Sequence, residues 1–336
     1  MKRFITLLSF MGFFLLVSVM NNDLHAQEVK ELKSSFGRLV RIAPKLSEID
    51  RNSMNGKPFV ITRNEKGLIA RQTPENIAAK KAFLEQLNQR VGESKPSEQT
   101  PFDQNSITRN VPTTGINYNA DGITATGFAP SDNNMAVGPN HIIQIINHSS
   151  GSAFTVRTKT GVVVQPSTIL SSLTGQTGGG DPVVLYDALA GRWFLSEFDA
   201  VGALGGALNI AVSSSSDPTT STWAVYRFTD ATFFPDYPKY SVWHNAYYCS
   251  SQDFAPSFVG SSIWAFDRAA MLAAAPTAAM VRVRLVLSSS TTTWGICAVS
   301  MEGTTPSNQS GFFAYNRDNN QAPAAPSDSV GLIQFT

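Results

Sequence analysis

Three aspartates recur at comparable places along the chain: Asp132, Asp181 and Asp236, separated by 49 and 55 residues. Carboxylates that repeat in this way can do two kinds of chemistry once a fold gathers them. As a set of oxygen donors they are candidates for a hard cation such as Ca2+, which takes six to eight oxygen ligands. Asn133, Asn134 and Asp187 are candidate helpers. As a pair flanking a glycosidic bond, one carboxylate acts as base or nucleophile and the other as acid. In that role Asp132 or Asp181 is the candidate base, and Glu197 or Asp236 the candidate acid. The plain alternative is local. An Asp ahead of a strand accepts hydrogen bonds from its own turn.

Other chemistries have less to stand on. The chain has four histidines, and no Gly-x-Ser-x-Gly elbow is present for a nucleophilic serine. Gly178-Gly179-Gly180 is followed by no helical pattern and reads as a loop, not a phosphate cradle. Tyr237, Trp243 and His244 are candidate ligand contacts, because aromatic rings stack on sugars. Cys249 and Cys297 both lie in apolar, strand-like contexts. Export permits a disulfide between them, and two buried thiols acting as small hydrophobes are the other reading.

The elements that must position these residues are strands. Each aspartate opens a segment that runs into a short strand, turns on small or polar residues, and resumes with a bulky apolar pair: His141-Ile142-Ile143, Trp193-Phe194, Tyr247-Tyr248. A repeat of about 50 residues is the length of a four-stranded propeller blade. Leu208–Val212 and Trp223–Phe228 read as strands, and Val281 to Leu287 alternates as a half-buried strand does. Asp267 can cap one helical turn over Arg268–Leu272 before Pro276 stops it. The expected fold is therefore all-β, with a β-propeller-like domain over 113–336, room for about four to five blades, and a ring that is either just closed or incomplete. A β-sandwich is the alternative.

Residues 27–91 look different. Glu28 to Ile49 carries apolar residues at loosely helical spacing, and Pro74 to Val91 reads as a capped, marginal helix. A small, partly helical or flexible region is expected there, and 92–112, with Pro96, Pro101 and Pro112, reads as a linker. The chain begins Met1-Lys2-Arg3, then an apolar run of 17 residues to Met20, then polar residues and Ala26. That order is a secretory signal peptide over 1–26, cleaved after Ala26. The run is shorter than the roughly 20 residues of a membrane span, and no membrane span is expected after cleavage.

Charge divides along the same line. Residues 27–112 carry 15 Lys/Arg and 10 Asp/Glu, whereas 113–336 carry 9 and 14. A mildly acidic domain offers no basic face for phosphates, so no nucleic-acid partner is expected.

Several segments, taken together, resemble a family. They are Ser131-Asp132-Asn133-Asn134-Met135-Ala136-Val137-Gly138-Pro139-Asn140-His141, Asp181-Pro182-Val183-Val184-Leu185-Tyr186-Asp187 with Arg192-Trp193-Phe194, Ala211-Val212-Ser213 with Ser216-Asp217-Pro218-Thr219, Asp236-Tyr237-Pro238-Lys239, and Ala265-Phe266-Asp267-Arg268. In this order they are similar to exported, propeller-like surface proteins of Bacteroidetes-type bacteria. The resemblance covers about 113–336. It implies a secreted or cell-surface location and a propeller-like fold, and it brings no established catalytic set. The function expected is a binding or scaffold module for a glycan, protein or matrix component. The alternative is a glycoside hydrolase of five-bladed propeller type.

Overall fold

The computed structural model describes residues 28–49, 122–123, 130–201, 205–230, 232–255, 258–286, 295–301, 303, 309–317 and 329–335. The expected signal peptide, the helix at 74–91 and the linker lie outside them.

Strands in this chain come in hairpin-connected runs. The first run is β2 (Asn134–Val137), β3 (His141–His148), β4 (Gly151–Thr158) and β5 (Val163–Ile169). The second is β6 (Gly180–Asp187), β7 (Arg192–Val201), β8 (Gly205–Ser213) and β9 (Trp223–Asp230). The third is β10 (Phe234–Val242), β11 (Ala246–Phe254), β12 (Phe258–Asp267) and β13 (Thr277–Val286). A three-stranded sheet follows: β14 (Cys297–Ala298), β15 (Gly311–Arg317) and β16 (Ser329–Phe335). All pair antiparallel within their runs.

These runs behave as propeller blades. The first strands lie side by side, β2 against β6, β6 against β10, β10 against β14. Successive sheets pack face to face over three cores. Ile143, Ile145 and Phe154 meet Val184, Trp193 and Leu195. Phe194, Ile210 and Tyr226 meet Tyr240, Tyr247 and Phe266. Tyr248, Ile263 and Val283 meet Phe313, Ile333 and Phe335. Neighbours such as Phe194 and Leu195, or Ile210 and Ala211, go to opposite cores, as the two-residue period of a strand requires. With both faces buried, the middle strands are apolar throughout; all nine residues of β8 are buried. The fold is all-β and propeller-like, with three four-stranded blades and one of three strands among the described residues.

Two short helices interrupt the strands, α1 (Leu170–Thr174) and α2 (Arg268–Leu272). The second is the turn expected from the sequence. The Asp267 carboxylate accepts from the Ala270 N–H at 2.9 Å.

The N-terminal segment corrects the sequence reading. Glu28–Ala43 is one 16-residue strand, β1, and belongs to the β-domain. Its first part pairs with β13 (Glu28↔Val286 to Arg38↔Thr277) and its last with β9 (Arg38↔Arg227 to Ala43↔Trp223). It therefore joins the outer edges of the second and third blades into one nine-stranded sheet. Bulges at Val29/Glu31 and Leu39/Arg41 shift the alternation out of phase, which is why the apolar spacing looks helical. Gly37 is required at its place because the Phe228 ring lies where a side chain would begin. Lys33 and Arg282 both pair with the buried Asp230, at 2.9 and 3.2 Å.

Candidate functional site at the axial rim

Each of the first three blades starts its inner strand with a two-residue bulge. Asp132-Asn133 sits between the pairings Ser131–Asn147 and Asn134↔Ile145. Asp181-Pro182 interrupts the ladder between Gly180 and Val183, and Tyr237-Pro238 between Asp236 and Lys239. The leading residue of each bulge is left-handed: Asp132 at φ 41°, Asp181 at 46°, Tyr237 at 52°. Asp tolerates this conformation, but for a bulky aromatic it is strained. The structural counterpart of Asp132 and Asp181 is therefore Tyr237. Asp236 stands one residue earlier, in the place of Gly180, so the sequence match of the three aspartates slips by one.

A chain of hydrogen bonds runs from blade to blade through these bulges. Asn147 of β3 donates Nδ2–H to Asp132 Oδ2 at 2.7 Å and accepts the Asp181 N–H on Oδ1 at 2.8 Å. Asp181 Oδ2 in turn accepts the Tyr237 N–H at 3.1 Å. Asn147 thus joins Asp132 to Asp181 across the first and second blades. Burial above all, then the charge of Asp236, then Asp132, push Asp181 up to about 8, with Lys239 opposing. Lys239 lies with Nζ 3.5 Å from the centre of the Tyr237 ring and 3.3 Å from the Pro238 carbonyl oxygen. Burial lowers its pKa, against the pull of Asp181 and Asp132. The outer side is open: Tyr237 is 43% exposed, and beside it lies a recess lined by Lys239, Ser250, Gln252, Ser261 and Cys297.

Glu197 reaches the same end of the molecule on β7 but not the rim. It is fully buried between the first and second blades, packed on Gly151 and Gly178. Its oxygens meet no donor at good hydrogen-bond geometry. Burial pushes its pKa up to about 8, the Ser152 hydroxyl beside it draws it down, and Asp199 adds to the rise. Arg227 is taken up by Asn209 at 2.7 Å and Asp199 at 2.8 Å. A sealed carboxyl cannot touch a substrate, so Glu197 is no acid of a surface cleft.

The remaining candidates separate. Trp243 directly follows β10, six residues beyond Tyr237, which is about 20 Å along a strand. It is 3% exposed, donates Nε1–H to the Gln309 carbonyl at 3.0 Å, and packs on Tyr248 and Phe312. It has no face for a ligand, and His244 follows it in the turn at that far end. Asp187 is also there, held by Arg268 at 2.7 and 2.9 Å and by the Tyr247 hydroxyl at 2.8 Å. It is no helper of the rim. Cys249 and Cys297 are free thiols, one buried and one exposed, so the disulfide reading is corrected. Among the described residues no group of three or more His, Cys, Asp or Glu side chains is placed to hold a metal ion, so Asp132, Asp181 and Asp236 do not form a Ca2+ cage. Among the described residues, too, no helix is long and apolar enough to cross a membrane.

Three groups carry weight here without having stood out in the sequence. Asn147 and Lys239 complete the rim. Asp253, fully buried with the hydroxyls of Ser251 at 2.8 Å and Ser262, is pushed up to about 7 chiefly by burial.

No protein-family model matches this chain, and no curated protein matches it. Among solved structures it is similar to a GH43 endo-arabinanase from Bacillus licheniformis, at 12% identity and a TM-score of 0.31. The match covers 56% of this chain and 65% of that one, so the chain spans less than two thirds of the structure it matches.

Proposed function

We propose that this chain is a secreted or cell-surface binding module that takes its ligand at the axial rim, without catalysis. The observation that carries this is the engagement of both aspartates in joining the blades: Asn147 bonds the Asp132 carboxyl at 2.7 Å and the Asp181 N–H at 2.8 Å, and the Asp181 carboxyl accepts the Tyr237 N–H at 3.1 Å. Retaining glycosidases hold their carboxyl pair roughly 5 to 5.5 Å apart, and inverting ones roughly 6.5 to 9.5 Å. Here one oxygen of Asp132 is taken by Asn147 and one of Asp181 by the Tyr237 N–H, so the pair serves to lock the blades together. What faces outward is a half-exposed tyrosine ring beside hydroxyl, amide and ammonium groups. That combination suits a glycan, whose apolar sugar face stacks on a ring while its hydroxyls bond the rim.

Glycoside hydrolysis is the second reading. It is favoured by one feature, the rise of Asp181 to about 8, which would suit a general acid. Binding to a panel of polysaccharides, measured alongside release from chromogenic glycosides, separates the two. We expect a polysaccharide that binds the wild type and loses about tenfold or more in affinity with Tyr237→Ala, as removal of a stacked ring costs. No glycoside should turn over. Turnover abolished by Asp181→Asn would replace this reading with the hydrolase.

A further inference from the structure

We propose that the outer edge of β16 is a strand-binding site, where an extended peptide of a partner protein adds as the fourth strand of the fourth blade. The inference does not depend on what binds at Tyr237.

The outer edges of the blades differ in protection. β1 covers β9 and β13. β5 carries Pro166, which has no N–H to offer, and its pairing with β4 shifts register twice. β16 has neither device. It pairs with β15 from Ser329 to Phe335 without a shift, and it holds no proline and no charged residue. On its other side no strand lies among the described residues. An edge of this kind presents a row of backbone N–H and C=O groups to an extended chain.

The third blade supplies the bed for the side chains. Ile263, Val283 and Leu285 share one core with Ile333 and Phe335. Beyond them the third blade runs on through β13 to β1, so it is wider than the fourth and projects past β16. Residues directly opposite in a ladder share a face. Val281, packed on that core, lies opposite Ser34, and the next pairs on the same face are Phe36↔Ala279 and Arg38↔Thr277. Phe36 is 69% exposed, and Arg38 is exposed as well. Apolar residues at alternate positions of an added strand would cover Phe36, and an acidic residue would meet the Arg38 guanidinium. The edge of a folded sheet fits less well. In a second copy the inward residues of β16, Ile333 and Phe335, are already packed on that copy's own third blade, whose projecting strands would collide with these. A single extended segment avoids the collision.

The test uses the full chain and a fluorescent synthetic peptide in which valine and threonine alternate over seven positions before two glutamates. Its anisotropy should rise to saturation as protein is added, and hydrogen exchange should slow at alternate amides of β16. Phe36→Ser, a change at an exposed position, should weaken binding by about tenfold. The same peptide with its three central amides N-methylated should not bind, because it cannot extend the ladder. Equal binding of the methylated peptide refutes strand addition. No rise in anisotropy refutes the site. Slow exchange at every β16 amide before peptide is added also refutes it, since the chain then covers its own edge. Light scattering should find a monomer, and a dimer dissolved by Leu332→Lys would give the edge to a second copy instead. The refutations by anisotropy and exchange come from the wild type, so a variant that fails to fold does not spare the proposal.

Discussion

The two ends of the inner strand β6 solve the same problem in opposite ways. At one end Asp187 ties the second blade to the third, gripped by the Arg268 guanidinium and the Tyr247 hydroxyl, with its own turn N–H of Ala190 adding a bond at 3.1 Å. At the other end Asp181 ties the second blade to the first and the third, but its partners are a side-chain amide and a backbone N–H. The first arrangement is an ion pair with every lone pair answered in ordinary backbone. The second is built from acids, with left-handed residues in three blades. A buried acid held by a cation is a fixed joint, whereas one set among other acids is pushed toward its neutral form. Strain and titration collect at the rim, where an exposed ring also stands, and the far end is closed.

The largest effect should come from breaking the fixed joint. Asp187→Ala would leave Arg268, 11% exposed at its side chain, without its counter-charge, and would orphan the Tyr247 hydroxyl. Removing one partner of such a pair costs about 3–5 kcal/mol. Urea denaturation should find a loss of that size, and a loss under about 1 kcal/mol would place the joint among ordinary surface pairs.

A second effect tests how far buried acids set the response to pH. Glu197 and Asp253 are pushed up to about 8 and about 7, from ordinary values of 4.5 and 3.8. Each is neutral in the folded chain over a range where the unfolded chain ionises it. Unfolding in that range releases protons, so stability is greatest at low pH and falls as the pH rises to the folded value. The wild type should therefore melt at progressively lower temperature from about pH 5 to about pH 8. Glu197→Gln should remove one proton from that slope, about 1.4 kcal/mol per pH unit, and melt higher than the wild type at about pH 8. A slope equal to the wild type's would mean that Glu197 is ionised where it lies.

How much of this could be read beforehand depends on how local its cause is. The blade strands were legible, since alternation and turn residues act within ten residues; the strands expected at Leu208–Val212 and Trp223–Phe228 lie within β8 and β9. The Asp267 cap was legible for the same reason. β1 was not, because its partners lie far away at 223–227 and 277–286, and two bulges break its period. The rim was half legible. Recurrent acids pointed to the right end of the molecule, but letters show residue types and not backbone conformation, so Asp236 took the place that belongs to Tyr237. Glu197 and Trp243 misled because burial between sheets depends on the neighbouring blade, which no local pattern describes.

The smallest effect should come from the rim's exposed ring, and it is the sharpest check on the contrast between the two ends. Tyr237 is held at φ 52°, a strain of about 1–3 kcal/mol for such a residue. Against this, its ring receives the Lys239 ammonium, a contact of about 0.5–1 kcal/mol where water reaches it. Tyr237→Gly removes both at once, and glycine adopts the left-handed region freely while losing more chain entropy on folding. The terms oppose one another, so the stability measured by urea denaturation should stay within about 1 kcal/mol of the wild type, while ligand affinity falls as it does in Tyr237→Ala. That pairing, binding lost and stability kept, is what a surface shaped for a ligand predicts. A loss of stability near that of Asp187→Ala would show instead that the ring is a structural wedge, and the rim and the far end would then be two joints of one kind.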